Sequence, residues 1–320
     1  MIIINIIAAF FIKCQSSKYK TLYSKTTYAK LILEFQEIKM KHWLNIIWVT
    51  LAAAGGYMAA SNNIDNDTPA TMAEVIKPDF GEIIKNATLV DLTHKMEEGM
   101  PQGPSGNEPP TIKPFKSYDD GTAGIHRYNF PGQWGTHVDP PVHFVKGLRT
   151  LEDIPLTEMI LPMIVIDVHE KVKTNNDYQV SMTDIYEWEK KYGTIPAESF
   201  VALRSDWSKR WPSTEKMRNR DEYGVSHSPG WSRKVIDYLV LNRKITAIGH
   251  ETLDTDPGIR AGNGEWPLQT YYMGLDKYQI ENMKALDQVP ETGAYIVATW
   301  AVPEMGSGFP ARVFAIIPKK

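Results

Sequence analysis

Residues 132–144 read Gly132-Gln133-Trp134-Gly135-Thr136-His137-Val138-Asp139-Pro140-Pro141-Val142-His143-Phe144. His137 and Asp139 are two residues apart, so an extended backbone sends both side chains to one face. A neutral imidazole nitrogen and a carboxylate oxygen are donors that a divalent Zn or Mn ion accepts. Gly135 permits an unusual backbone angle or close packing just before them. Pro140 and Pro141 stiffen the exit and fix the direction of approach. His143 follows that bend, where it can reach the same pocket without joining the His137/Asp139 face. A single strand histidine is more often structural than a ligand. Here the clustering of His, Asp and a further His favours a metal site.

Outward from this stretch the chain alternates strand-like and helix-like segments. Residues 87–92, 125–130, 163–168, 200–204, 245–249, 295–301 and 311–317 have the β-branched, short-run character of strands. Residues 182–192 carry helical spacing and stop at Gly193, and 232–242 is amphipathic. Residues 72–86 read as helix or turn, 275–286 as mostly helix, and the Pro/Gly-rich stretch 100–114 as loop. Strands and helices mix without a strict βαβ rhythm and without an internal repeat. One α/β domain over 70–320 is expected, after a polar linker at 61–69.

Composition narrows the chemistry. The 320 residues are 42% hydrophobic and 23% charged, enough for a sizeable core. The net charge is −3, yet six lysines lie before Met40, so the body is distinctly acidic. That argues against a nucleic-acid partner, whose phosphates need clustered positive charge. The single cysteine, Cys14, lies outside the domain, which excludes disulfides, thiolate metal sites and a cysteine nucleophile within it. No Gly-x-Ser-x-Gly elbow is present, and Gly262-x-Gly264 lacks the context of a nucleotide loop. His250-Glu251-x-x-Asp254 lacks the second histidine of a zincin helix. His250 either replaces a ligand or is a surface or hydrogen-bonded histidine at a strand end. His94 and His126 read as structural. Trp134, Trp207, Trp231 and Trp266 fall in loops, which suits either an aromatic substrate or ordinary packing.

The N-terminus reads as targeting sequence. Met40, Lys41 and His42 form a short basic head, 43–54 is apolar, and small residues run to Ala60. Residues 40–60 are expected to be a signal peptide cleaved near Ala60, which places the mature protein in the periplasm or outside the cell. A membrane anchor is the other reading of the same segment. Residues 1–39 then form an upstream extension.

The segment around His137 resembles the signature His-x-Gly-Thr-His-x-Asp-x-Pro-x-His-Phe of the cyclase-like metal-dependent hydrolases. That family includes bacterial kynurenine formamidase and isatin hydrolase. The likeness extends from about Leu89 to Ile317, through Val90-Asp-Leu-Thr-His94, Ser228-Pro-Gly-Trp231 and Ala247-Ile-Gly-His-Glu-Thr-Leu-Asp-Thr-Asp256. It implies a swivelling β/β/α fold with a central barrel-like mixed sheet. It implies His137 and Asp139 as metal ligands and His143 as the catalytic proton carrier. The first motif position holds Gln133 instead of His. The family's second metal pair, His and Glu twelve residues apart, reads Gln269 and Glu281 here. With both outlying histidines replaced, one Zn or Mn ion is expected rather than two. The resemblance implies hydrolysis of a C–N amide bond in a small substrate by a homodimer or homotetramer. Arylformamidase is the first expectation. Opening of a cyclic amide or lactone is the alternative, and a non-catalytic secreted binding protein is the alternative outside enzymes.

Overall fold

The computed structural model describes residues 80–101, 110–121 and 123–319. The expected targeting segment, the upstream extension and the linker lie outside the described residues. Among the described residues no helix is long and apolar enough to cross a membrane.

The fold is α/β, built on a closed mixed barrel. Its strands are β4 (His137–Asp139), β5 (Ile160–Asp167), β6 (Phe200–Arg204), β7 (Ala247–His250), β8 (Tyr278–Glu281), β9 (Ala294–Trp300) and β10 (Phe309–Ile317). Neighbours run β10-β4-β8-β7-β6-β5-β9, and β9 pairs back onto β10 to close the ring. The run β5-β6-β7-β8 is parallel, and the remaining pairings are antiparallel. Strand β1 (Thr88–Asp91) adds antiparallel to β10. This is the swivelling β/β/α arrangement implied by the resemblance.

Period-two alternation splits the barrel strands between two cores. Met163, Val165, Phe200, Ala202, Ala247, Tyr278, Ile280 and Val138 point inward and pack with β9 and β10. Ile164, Ile166, Val201, Leu203 and Ile248 point outward. They are covered by α3 (Met182–Tyr192), α5 (Arg233–Asp237, continuing as one π turn to Asn242) and α7 (Pro267–Gly274). On each of these strands a one-residue slip would exchange the two cores, so burial on both faces fixes the register. Helix α3 starts at the Ser181/Asp184 capping box and ends at Gly193, whose φ of 92° favours glycine.

Two expectations are corrected. Residues 275–286 are not a helix. Helix α7 ends at Gly274, the chain turns at Asp276 with φ 58°, and Tyr278–Glu281 forms β8. All four β8 residues are buried between β7 and β4, and that sheet position overrides local helix propensity. The stretch 100–114 is not loop throughout, because β2 (Thr111–Lys116) pairs with β3 (Ile125–Asn129) in a two-stranded ribbon. Pro114 is tolerated there because the ribbon has free edges, and the register shifts beside it.

Candidate metal centre

Alternation that sends Val138 and Ile280 inward sends His137, Asp139, Gln279 and Glu281 outward. Antiparallel pairing sets His137 opposite Glu281, and Asp139 opposite Gln279. The outward residue at the end of β7 is His250. The polar cluster therefore sits on the outer barrel face, at the carboxyl ends of β7 and β8, where α/β sheets typically place ligands. Parallel strands end there together, and β4 enters from the opposite direction.

One ligand atom from each of His137, Asp139 and Glu281 lies within 4.8 Å of the others, and all three residues are buried. His137 Nδ1–H donates to Gly135 O at 2.8 Å. Its Nε2 lone pair is then free, and it lies 3.4 Å from Asp139 Oδ1 and 3.5 Å from Glu281 Oε2. Among the described residues that buried nitrogen has no hydrogen-bond partner. A bare imidazole lone pair facing two carboxylates is a donor set for a divalent cation.

The electrostatics agree. Burial, then the charges of Asp139, Asp254 and Asp256, push Glu281 well above its ordinary value. Burial works against the charge of Asp139 too, yet His137 and His143 hold it well below the usual carboxylate range. Burial disfavours charge on His137, but Asp139 and the Gly135 carbonyl carry it upward, so without a cation these groups favour a proton on Nε2, in the place a cation would take. Burial and neighbouring carboxylates push half-buried Asp254 up to about 6, although Trp266 Nε1–H donates to it at 2.8 Å. A cation among these acids would relieve their mutual repulsion.

The pocket is held by close approach. Gly135 has φ 68°, and a Cβ there would meet the Met100 methyl at 3.2 Å. Thr136 Oγ1 donates to Asn282 O at 2.6 Å and accepts from His94 N at 2.9 Å. Asn282 Nδ2 returns to Gly135 O at 3.3 Å, so the carbonyl that orients His137 is itself fixed from β8.

The other expected site residues separate. His143 ends the short turn Pro141–His143, with Nε2 3.9 Å from Asp139 Oδ1 and about a quarter of its side chain exposed. It stands beside the triad, as its position beyond the prolines predicts. Gln133 also reaches the cluster, but by its amide nitrogen. Nε2 donates to Ser307 O at 2.9 Å and is 3.4 Å from Asp139 Oδ1 and 3.3 Å from His143 Nδ1. The Ser307 carbonyl can only accept, which fixes this amide orientation. Gln133 thus turns a hydrogen-bond donor, rather than its amide oxygen, toward the cluster. Gln269 is buried on α7. Its backbone N–H donates to Asp256 Oδ2 at 2.8 Å, and its amide oxygen has no partner among the described residues.

His250 resolves toward the hydrogen-bonded alternative. Trp231 Nε1–H donates to its Nδ1 at 3.3 Å, which leaves the proton on Nε2, 3.5 Å from Glu281 Oε1. Burial lowers its pKa to about 3, so it is neutral. Glu251 beside it accepts from Ser205 N and Ser208 Oγ and anchors that turn instead. Trp134, Trp207 and Trp231 are core residues, each at most 1% exposed. An aromatic wall does exist beside the site. Phe144 meets His143 edge-on at 4.7 Å, and Trp266 lies 6.1 Å from Phe144.

Sequence reading missed Gln279, Thr255, Asp254 and Asp256. The alternation Tyr278-Gln279-Ile280-Glu281 held the signal for Gln279, which a helical reading of that segment conceals.

The closed mixed barrel thus carries on its outer face a buried His/Asp/Glu set that could hold a metal ion. A family model described as a putative cyclase matches residues 90–257. Isatin hydrolase from Roseibium aggregatum is 30% identical over 257 residues, covering 78% of this chain and 89% of that protein. An isatin hydrolase bound to the product analogue thioisatinate superposes with TM-score 0.68 at 27% identity, over 73% of this chain and 94% of its own. Isatin hydrolase A from Labrenzia aggregata, bound to benzyl benzoate, gives TM-score 0.67 at 29% identity, over 73% and 95%. The chain belongs to the cyclase family.

Proposed function

We propose that this protein hydrolyses an amide C–N bond in a small aromatic cyclic substrate of the isatin type, using one Zn or Mn ion. The observation that carries this reading is the buried triad of His137 Nε2, Asp139 Oδ1 and Glu281 Oε2 with half-buried His143 at its rim. Ring opening stands ahead of arylformamidase because the relatives at 27–30% identity are isatin hydrolases. The Phe144/Trp266 wall suits a flat ring.

His137, Asp139 and Glu281 would hold the ion. When bound, it supplies Lewis-acid polarisation and lowers the pKa of water. Hydrolysis adds one water across the amide. The water oxygen joins the carbonyl carbon, the C–N bond breaks, and the nitrogen gains a proton. His143 handles that proton. Its Nδ1 lies 3.3 Å from Gln133 Nε2 and its Nε2 lies 3.9 Å from Asp139 Oδ1, so both ring nitrogens have polar partners at the rim of the triad. His143 takes the proton that the attacking water gives up and then delivers a proton to the leaving nitrogen, so the ring ends as it began. Asp139, held ionised, supports the cationic form of His143 between the two transfers.

The test is metal analysis of the natively purified full chain, coupled to turnover on isatin and on N-formylkynurenine. About one equivalent of Zn or Mn with isatin opening is expected. Selective cleavage of the formyl substrate would restore arylformamidase. Absence of metal and of metal rescue would favour a binding protein on the same scaffold.

A further inference from the structure

Each carboxylate of the triad has two oxygens, and the structure treats them differently. Asp139 Oδ1 and Glu281 Oε2 face the bare His137 nitrogen. The other two oxygens receive donors. Gln279 Nε2 lies 3.2 Å from Asp139 Oδ2 and 2.6 Å from Glu281 Oε1, so its two N–H groups bridge the pair. The opposite end of that amide is fixed as well, because Thr255 Oγ1–H donates to Gln279 Oε1 at 2.5 Å. A hydroxyl on the oxygen and two carboxylates on the nitrogen leave only one orientation for the amide. Gln279 is fully buried and bears no charge. His250, whose proton Trp231 keeps on Nε2, faces the same Glu281 Oε1 at 3.5 Å.

We propose that Gln279 is a positioning residue that limits this centre to a single cation. The inference rests on the metal-centre reading above. By capping Asp139 Oδ2 and Glu281 Oε1, Gln279 leaves three lone pairs converging on one point. It also removes the two oxygens through which a second ion would share the carboxylates. Thr255 holds Gln279 in that orientation. The ion count thus follows from a neutral amide on β8 rather than only from the number of acidic residues in the pocket.

The experiment is titration of the metal-free full chain with Mn(II), read by calorimetric stoichiometry and by the Mn(II) electron paramagnetic resonance spectrum. The parent should bind one equivalent and show the hyperfine pattern of an isolated ion. Gln279→Glu replaces donors by a carboxylate of the same length, and it should bind a second equivalent with a spin-coupled spectrum. Gln279→Leu removes the donors without adding a ligand. It frees both oxygens, so it should admit a second equivalent, more weakly than Gln279→Glu does, and hold the first about 10–100-fold more weakly than the parent. Thr255→Val leaves both carboxylates and Gln279 in place. It should weaken the ion by up to about tenfold, and it carries the test if Gln279→Glu does not fold by circular dichroism. One equivalent at the parent's affinity in every folded variant would overturn the role of Gln279. So would two equivalents in the parent. No binding to the parent would instead overturn the metal-centre reading, which keeps the two failures apart.

Discussion

The ends of β4 and β7 each place a buried histidine on the same barrel face, yet the two imidazoles are set for opposite tasks. His137 gives its Nδ1 proton to a backbone carbonyl and is left with a bare Nε2. His250 receives an indole N–H at Nδ1 and is left with a proton on Nε2. One presents a lone pair that a cation could take and the other presents an N–H, and the difference lies in what touches the remote nitrogen. Removing the ligand is the largest effect this contrast predicts. Metal-free His137→Ala and Asp139→Ala chains should fold, as judged by circular dichroism, and fail to bind Zn or Mn. His250→Gln should hold the parent's stoichiometry with a dissociation constant within about tenfold. Equal loss of metal in His137→Ala and His250→Gln would erase the contrast.

The third histidine of the region, His143, sharpens it by separating binding from proton transfer. It is 3.9 Å from Asp139 Oδ1, outside the triad, and reaches solvent. His143→Ala should therefore retain its metal and lose about 10²–10⁴ in turnover. Stoichiometry and kcat measured on one preparation decide this. Loss of metal along with activity would make His143 a ligand.

The contrast also marks how far the amino-acid sequence could be read. His137 and Asp139 were legible because a period-two spacing within a three-residue strand is a local property. His143 was legible because prolines constrain direction locally. Strands β6 and β5 and helix α3 were legible for the same reason, through the apolar runs of the strands, the helical spacing of 182–192 and Gly193 at its end. Glu281 came only through resemblance, and Gln279 was missed. Both lie on a strand whose existence depends on pairing with β4 and β7, far away in the chain. The opposite settings of His137 and His250 depend on Gly135 O and Trp231 Nε1, contacts that no spacing rule encodes. That Gln133 turns its amide nitrogen to the cluster depends on Ser307 O, a partner far along the chain that no local spacing reveals.

The acids around the two histidines extend the contrast to pH. Burial raises Asp254 from 3.8 to about 6. Between those values the folded chain holds a proton that the unfolded chain has released. The folded state therefore loses stability as pH rises through that window. Asp254→Asn removes this penalty and keeps an acceptor for Trp266 Nε1. In metal-free protein the variant should gain on the parent between about pH 4 and pH 7, by up to about 2 kcal/mol. Denaturant melts at the two pH values measure it. A difference that stays constant with pH would mean that Asp254 titrates normally.

The smallest predicted effect concerns Gln133, the residue on which this chain departs from the motif it resembles. Its amide N–H approaches Asp139 Oδ1 at 3.4 Å, one of the three atoms that face the ion position. A hydrogen-bond donor there competes with the cation for a lone pair. The side chain is held in that pose by Ser307 O and by Gly308, whose Cβ, if it had one, would fall 2.0 Å from Gln133 Nε2. Gln133→His replaces the competing donor with an imidazole, which offers a lone pair instead of taking one. Metal affinity should rise by about tenfold, measured by competition with a chromophoric chelator. The same change removes the N–H shared with His143 Nδ1, so turnover should fall even as the ion is held more tightly. Tighter metal with lower kcat would show that Gln133 serves His143 rather than the ion. Unchanged or weaker affinity would mean that its hydrogen bond to Ser307 shapes the pocket more than its contact with Asp139 does.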